Sequence, residues 1–419
     1  MKKMSLWLLL LVIALPIAAQ TEDENIEEKE DTASTDSSMV DSLTRDSLVL
    51  PWPQSVQHHI DMMLKSEMFK NSQVGLMIYD LDADSAIYRF NEHQLLRPAS
   101  TMKVITAITA IDKLGGSYQF KTEMCYTGEV KDRTLNGDIY CIGGFDPRFN
   151  SDDLNAFIES IRKMGVDTIR GNLYADKSMK DSATMGEGWC WDDDNPVLSP
   201  LLISRKDVFM ERFLKELRDA GVVVEATIGE KTKPEDAFCI CTRFHTMDQI
   251  LMKMLKESDN LYAESMFYQI ASSTGNRPAT AKSARAVIKR LINKIGLDPS
   301  RYNIADGSGL SLYNYVTAEL EVMLLRYAYR NGNIYLHLFP ALPIAGRDGT
   351  LKNRMRGSFT SGNVNAKTGT VTGISSLAGY CTAGNGHRLC FSIINQGLLH
   401  GSNGRAFQDR VCNALCSPQ

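Results

Sequence analysis

A serine and a lysine three residues apart, Ser100 and Lys103, have the spacing required for nucleophilic catalysis. A serine hydroxyl is a weak nucleophile until a base takes its proton, and a neutral lysine amine can be that base. Residues three apart lie on one face of a helix, so the amine can reach the hydroxyl. The lysine must be uncharged at working pH, and burial or a second cation nearby would lower its pKa. The pair therefore predicts acyl transfer through a covalent serine intermediate.

Two further motifs follow in order along the chain. Ser258-Asp259-Asn260 lies at the predicted junction of two helices, and Lys367-Thr368-Gly369-Thr370 lies on a predicted strand near the C-terminal end. Lys367 is a candidate for the second cation that lowers the pKa of Lys103. Each motif alone is weak evidence, but the ordered set of three indicates one catalytic site.

Context separates Ser100 from a second serine–lysine pair, Ser160 and Lys163. The second pair lies in a charged amphipathic helix, where both residues are ordinary surface side chains. Ser100 begins a helix that is apolar almost all round, which indicates a buried and fixed support. The rival motif Gly-x-Ser-x-Gly is absent, since Asp306 stands where Ser308 would need the first glycine.

The elements that must position these motifs are strands at both chain ends with helices between them. Early strands are predicted near 74–81 and 86–90, the apolar helix at 102–114, later helices at 246–256, 259–272, 279–295 and 403–415, and late strands at 364–368, 373–382 and 388–395. This order predicts an α/β (α+β) catalytic domain, residues 51–120 and 246–419, whose sheet joins the two chain ends. Short strands and turns, with predicted helices near 151–163 and 206–219, fill 121–245, which we interpret as a β-rich inserted domain.

The N-terminal residues indicate export. Residues 1–20 combine two lysines, an apolar run and small residues near Ala19, which is the pattern of a secretory signal peptide. Residues 21–50 contain ten acidic and two basic residues, and we expect them to form a disordered tether. The predicted location is periplasmic or otherwise extracytoplasmic, without a stable membrane span.

Charge and cysteine usage limit the remaining possibilities. The rest of the chain is close to charge balance and has no basic stripe, which argues against a nucleic-acid partner. No metal-binding motif is present, and no cofactor is expected. Nine cysteines leave at least one without a partner in the chain. Cys125 and Cys141 flank a predicted turn, which suggests a disulfide between neighbouring strands.

Together the motifs resemble those of the serine penicillin-binding protein and β-lactamase superfamily. The chain is most similar in pattern to class C low-molecular-mass penicillin-binding proteins, the D-alanyl-D-alanine carboxypeptidase/endopeptidases with a large insert. Four extended segments carry the likeness: 97–103, 258–264, 306–311 and 342–351. It spans about 70–415, and the long gap between Ser100 and Ser258 accommodates the insert. The resemblance implies a transpeptidase-like fold with an antiparallel sheet flanked by helices.

The resemblance also implies a role for each motif residue. Ser100 attacks the carbonyl of the penultimate D-Ala, and Lys103 is the general base. Ser258 relays the proton to the leaving amine, while Asn260 orients Lys103 and the substrate amide. The backbone N–H groups of Ser100 and Thr370 form the oxyanion hole. The terminal carboxylate is received by the strand residues Lys367, Thr368, Gly369 and Thr370.

We therefore interpret the chain as a serine-type carboxypeptidase or endopeptidase acting on peptidoglycan stem peptides that end in D-Ala-D-Ala, inhibited by β-lactam antibiotics. Asp306 and Asp348 match motif positions, and we assign them structural roles.

Two alternative functions stay open. A serine β-lactamase shares the acylation step, and turnover of penicillin against turnover of a D-Ala-D-Ala peptide separates the two. A non-catalytic peptidoglycan-binding protein would not need the complete set of motifs.

Overall fold

The protein, a computed structural model, is described over residues 50–192 and 194–418. Its helices are α1 (Gln54–Leu64), α2 (Met68–Asn71), α3 (Met102–Leu114), α4 (Ser151–Lys163), α5 (Phe209–Asp219), α6 (Met247–Lys256), α7 (Asn260–Ser272), α8 (Ala281–Lys294), α9 (Ala318–Arg330), α10 (Gly332–Ala341) and α11 (Gly401–Cys416). Its strands are β1 (Gln73–Asp80), β2 (Ser85–Phe90), β3 (Gln119–Tyr126), β4 (Glu129–Lys131), β5 (Thr134–Asn136), β6 (Ile139–Gly143), β7 (Thr168–Arg170), β8 (Leu173–Asp176), β9 (Val223–Val224), β10 (Ile228–Glu230), β11 (Phe238–Thr246), β12 (Asn365–Val371), β13 (Ile374–Thr382) and β14 (Arg388–Gln396).

The catalytic sheet joins the two ends of the described chain, as the strand order predicted. Its order is β12-β13-β14-β1-β2, and its pairings are antiparallel, with Gln73 opposite Gln396 where β1 meets β14. Successive side chains on a strand point to opposite faces. On β1, Leu76 therefore packs in the core beneath α1 and α11, while Met77 packs in the core formed with α3 and α6–α10. The sheet is thus covered by helices on both faces.

Helix α3 is the buried centre of the helical layer. Residues 102–111 are all buried, and the helix contacts α6, α7, α8, α9 and α10. Its sequence is rich in Val, Ile and Thr, which are only moderate helix formers. Packing on all sides therefore stabilises it more than intrinsic propensity does. Gly115, with φ of +82°, ends it, since glycine adopts this left-handed conformation without steric cost.

The stretch predicted as an insert contains two sheets and two helices. One sheet has the order β10-β8-β6-β3-β11 and the other the order β4-β5-β7-β9, with both parallel and antiparallel pairs. Helices α4 and α5 contribute Phe157 and Phe213 to a separate hydrophobic core. The stretch therefore combines short strands with two helices at about the predicted positions. Residues from Leu50 onward form one compact unit, and the boundaries at 121 and 245 stay a prediction.

The predicted signal peptide (1–20) and all but the last residue of the predicted tether (21–50) lie outside the described residues. Within the described part of the chain, no helix is both long enough and apolar enough to cross a bilayer.

The predicted disulfide between Cys125 and Cys141 is wrong. Strand β3 pairs with β6 so that Cys125 lies opposite Tyr140, and Cys141 lies opposite Met124. This register differs by one residue from the predicted one, and a shift of one residue places the two thiols on opposite faces of the sheet. Cys125 instead forms a disulfide with its direct neighbour on β11, Cys239, while Cys141 is a buried free thiol.

We predict that the double variant Cys125→Ala/Cys239→Ala loses about 2–4 kcal/mol of unfolding free energy, because the bond closes a loop of more than a hundred residues in the unfolded chain. Denaturant unfolding under non-reducing conditions measures the loss. Parent protein with added reductant is the matched control and should unfold at the midpoint of the double variant. Equal stability of parent and double variant would contradict the prediction.

Candidate active site

Ser100 lies in a single 3-10 turn, Ala99–Thr101, at the start of α3. Ser376 Oγ on β13 holds the turn from the sheet side by donating to Pro98 O at 2.5 Å, and Thr101 Oγ1 donates to the same carbonyl from within the turn at 2.8 Å. It is held from the other side by Gly309, where a Cβ atom would lie 1.8 Å from Ala99 O. Ala99 itself has φ of +49°, a strained conformation that persists because its surroundings enforce it. The nucleophile therefore projects from a fixed backbone.

Lys103 is fully buried, and its amine has three polar neighbours. Lys103 Nζ lies 2.7 Å from Asn260 Oδ1, 2.8 Å from Ser308 O and 2.9 Å from Ser100 Oγ. A neutral amine has two N–H groups and one lone pair. Asn260 Oδ1 and Ser308 O can only accept hydrogen bonds, so they take both N–H groups. The lone pair then faces the hydroxyl of Ser100, which is the arrangement of a general base.

Burial sets the protonation state of this base. Desolvation lowers the pKa of Lys103 to about 8, and the carboxyls of Asp306, Glu264 and Asp259 limit the fall. At pH 7, one unit below this pKa, about a tenth of the molecules carries the uncharged amine, far more than for a lysine with the usual pKa. Lys367 is a second buried amine, and burial together with Lys103 holds its pKa well below the usual value.

The junction of α6 and α7 supplies the second motif. Asp259 caps α7 by accepting from the backbone N–H of Tyr262, and it also pairs with Arg205 from the inserted stretch. The cap fixes Asn260 at the first position of the helix, within reach of Lys103. Ser258 has φ of +62°, again a strained conformation at a functional position.

Strand β12 brings the third motif against the first two. Lys367 Nζ lies 2.8 Å from Ser258 Oγ and 2.7 Å from Thr368 O. A Cβ atom at Gly369 would lie 2.0 Å from Ser376 Oγ and 2.9 Å from the backbone nitrogen of Ser100. Only glycine allows the strand to approach the nucleophile so closely. The structure thus brings together the predicted site residues of all three motifs.

Two buried carboxyls hold the loop that contacts Lys103. Asp306 accepts from the backbone N–H groups of Gly309 and Ser311 and from Trp189 Nε1, which agrees with the predicted structural role. Glu264 Oε1 accepts from the backbone N–H groups of residues 307 and 308. Burial raises the pKa of Glu264 to about 8. Sequence reasoning gave Glu264 no role, although a glutamate among apolar residues on an otherwise buried helix was an available signal.

A cavity of about 250 Å³ lies beside the nucleophile. It is lined by Ser100, Ser258, Thr350, Arg354, Thr368, Thr370 and Arg405. Thr368 Oγ1 donates to Thr350 Oγ1 at 2.7 Å. Asp348, two residues before Thr350, forms an ion pair with Lys256 at 2.7 Å. Thr350, Arg354 and Arg405 were missed at the sequence level, because segments remote in the chain bring them to the cavity.

The other serine–lysine pair has no such setting. Ser160 lies within α4 and donates its hydroxyl to Ala156 O at 2.7 Å, which is an ordinary bond within a helix.

A larger cavity, about 420 Å³, lies in the inserted stretch. The charges of Lys177, Asp207 and Glu230 on its wall are paired with one another.

Comparison with known proteins identifies a matching protein family. The model of the D-Ala-D-Ala carboxypeptidase 3 (S13) family matches residues 56–205 and 202–415. The chain belongs to this family. A D-alanyl-D-alanine carboxypeptidase of Actinomadura sp. (strain R39) is 27% identical over 459 residues, covering 86% of this chain and 84% of that protein.

Solved structures show the same fold as this S13 chain. Penicillin binding protein 4 (dacB) from Haemophilus influenzae has a TM-score of 0.79 and 23% identity, and the match covers 85% of this chain and 99% of that one. A structure of that protein complexed with a β-lactam has a TM-score of 0.72 and 24% identity, and the match covers 86% and 99%. The predicted family, the fold class and the enzyme class of serine-type carboxypeptidase are therefore confirmed.

We predict that acylation of Ser100 accelerates from about pH 6 to about pH 8 and then levels off, because only the neutral amine of Lys103 is a base. Well below its pKa, the neutral fraction of an amine changes about tenfold per pH unit. Rapid-quench measurement of acylation by benzylpenicillin gives the profile. A rate that does not change over this range would show that an uncharged Lys103 does not limit acylation.

Proposed function

We propose that this protein is a serine-type D-Ala-D-Ala carboxypeptidase/endopeptidase that hydrolyses peptidoglycan stem peptides through an acyl-enzyme on Ser100. The observation that carries the proposal is the position of Lys103 Nζ, which lies within hydrogen-bond distance of Asn260 Oδ1, Ser308 O and Ser100 Oγ. In the neutral amine the first two contacts take both N–H groups, which leaves the lone pair for the hydroxyl of Ser100. A buried amine arranged in this way is suited to remove a hydroxyl proton near neutral pH.

Acylation follows from these positions. Ser100 Oγ attacks the carbonyl carbon of the penultimate D-Ala as its proton passes to Lys103 Nζ. We assign the oxyanion hole to the backbone N–H groups of Ser100 and Thr370, because Gly369 lets strand β12 come close to the backbone nitrogen of Ser100. The proton then passes through the hydroxyl of Ser258, which contacts Lys367, to the amine of the terminal D-Ala as the C–N bond breaks. Water releases the acyl group by the reverse sequence.

The leaving residue occupies the cavity beside Ser100. Thr368 and Thr370 line this cavity, and Lys367 contacts Ser258 Oγ and Thr368 O next to it. We assign Lys367, Thr368, Gly369 and Thr370 to the subsite for the terminal carboxylate. The reaction requires no cofactor in this scheme.

A β-lactam is the expected inhibitor, since it resembles the D-Ala-D-Ala terminus, and penicillin binding protein 4 of H. influenzae has been crystallised with one. The described residues that line the cavity carry hydroxyl or guanidinium groups, and no carboxylate is among them. The described lining therefore offers no carboxylate to activate water, which favours a penicillin adduct that lasts longer than the acyl-peptide.

Export to the periplasm or another extracytoplasmic compartment is part of the proposal. The signal-peptide pattern of residues 1–20 supports it, and so does the Cys125–Cys239 disulfide, because disulfides persist in oxidising compartments.

We predict that the purified protein releases D-Ala from a peptide ending in D-Ala-D-Ala, and that Ser100→Ala lowers kcat by about 10³-fold or more, because it removes the hydroxyl that Lys103 activates. A chromatographic assay for free D-Ala measures the rate. Ser160→Ala is the matched control and should keep the parental rate. Parental activity in Ser100→Ala would overturn the assignment. Muropeptide analysis of digested sacculi then distinguishes cleavage of terminal D-Ala from cleavage of cross-links.

We also predict that penicillin adds one drug mass to the intact protein and that the label maps to the peptide containing Ser100. The ring keeps the leaving amine tethered, so the approach of water is blocked and the adduct persists. Intact-protein and peptide mass spectrometry detect it. Labelling that persists in Ser100→Ala, or that maps to Ser160, would refute the mechanism. Rapid loss of the adduct with release of opened drug would favour a β-lactamase.

A further inference from the structure

The proposed substrate presents a negative charge that the strand motif does not meet directly. The carboxylate of the leaving D-Ala is adjacent to the scissile bond, so it enters the cavity beside Ser100. Lys367 is fully buried and is not among the residues that line this cavity. Its amine is directed to Ser258 Oγ and Thr368 O, and burial together with Lys103 lowers its pKa well below the usual value. A positive charge that meets the carboxylate directly therefore comes from a residue of the cavity lining.

Two arginines line the cavity, and they differ in their partners. Arg354 is already engaged, since its Nη2 donates to Asp409 Oδ1 at 2.6 Å and to Gln408 Oε1 at 3.0 Å. The same nitrogen donates to the backbone carbonyl of Arg405 at 3.3 Å. Asp409 therefore compensates the charge of Arg354. The contacts of Arg354 with residues 405, 408 and 409 hold α11 beside the cavity.

Arg405 has no such compensation. Within residues 50–192 and 194–418, its guanidinium makes no ion pair and no side-chain hydrogen bond, although the side chain is half-buried in the cavity wall. Its Nη1 lies 3.4 Å from the position a Cβ atom would take at Gly401, one helical turn earlier. A planar guanidinium with free donors matches a carboxylate better than any neutral group can.

We propose that Arg405 is a specificity-determining residue that binds the carboxylate of the leaving amino acid, together with the hydroxyls of Thr368 and Thr370. This inference rests on the proposed function, because it takes the substrate to be a peptide with a free carboxylate next to the scissile bond. Arg405 thus provides the charge at the C-terminal subsite, and Lys367 maintains Ser258 and Thr368 in position.

The experiment compares two substrates with four proteins. The substrates are a peptide ending in D-Ala-D-Ala and the same peptide with a C-terminal amide. The proteins are the parent, Arg405→Gln, Arg405→Lys and Arg410→Gln, the last being a control with an exposed arginine on the same helix that does not line the cavity. For Arg405→Gln we expect kcat/KM to fall by about 10- to 100-fold on the acid, mainly through KM, and by less than about twofold on the amide. Arg405→Lys should retain part of the preference for the acid, and Arg410→Gln should keep all of it.

The outcomes separate this inference from the function on which it rests. Equal losses on acid and amide in Arg405→Gln, or an unchanged preference for the acid, would overturn the role of Arg405 while leaving the activity established. If Arg405→Gln is recovered unfolded, the acid-to-amide ratio of Arg405→Lys decides the question, and a ratio equal to that of the parent overturns the proposal. A parent protein that cleaves neither peptide and takes up no penicillin refutes the proposed function itself.

Discussion

The lowered pKa that burial gives Lys103 is the condition on which the active site depends. An ammonium group at this depth would lose its hydration, and the effective cost is several kcal/mol. The structure compensates with Asn260 Oδ1 and Ser308 O, two acceptors that suit an uncharged amine with two N–H groups. Because one acceptor comes from α7 and the other from the loop before α9, both elements must pack against α3 before a competent base exists. The apolar surroundings of α3 are therefore part of the catalytic mechanism as well as of the core.

The second requirement is that the backbone of β12 comes close to the turn that carries Ser100, and the antiparallel sheet provides this approach. Joining β1 to β14 brings the C-terminal strands to the start of α3, so that β12 lies directly beside the 3-10 turn of Ser100. Gly369 and Gly309 remove the side chains that would prevent contact on the two sides of this turn. The strained conformations of Ala99 and Ser258 lie at the same place, where surrounding contacts over-determine the backbone.

The inserted stretch contributes to the site from a distance. The Cys125–Cys239 disulfide links β3 to β11, the strands with which the stretch begins and ends. Arg205 pairs with Asp259, the cap of α7, and Phe145 O accepts a hydrogen bond from Ser265 on the same helix. Since α7 carries Asn260, the insert helps to fix the helix that orients the base. Truncations of this stretch would thus affect catalysis without removing a residue that touches substrate.

The sequence by itself predicted Ser100 as the nucleophile and Lys103 as its base, and it identified the family, because these predictions depend on residue identity and on short spacing within a single element. Ser100 and Lys103 are three residues apart, so one helix suffices to bring them together. Chain order also predicted that the terminal strands share a sheet. Only the tertiary structure decided the pairing of Cys125, the direction of the Lys367 amine and the presence of Arg405 at the cavity. Each of these depends on strand register or on packing between remote segments, where a shift of one residue reverses the face that a side chain occupies.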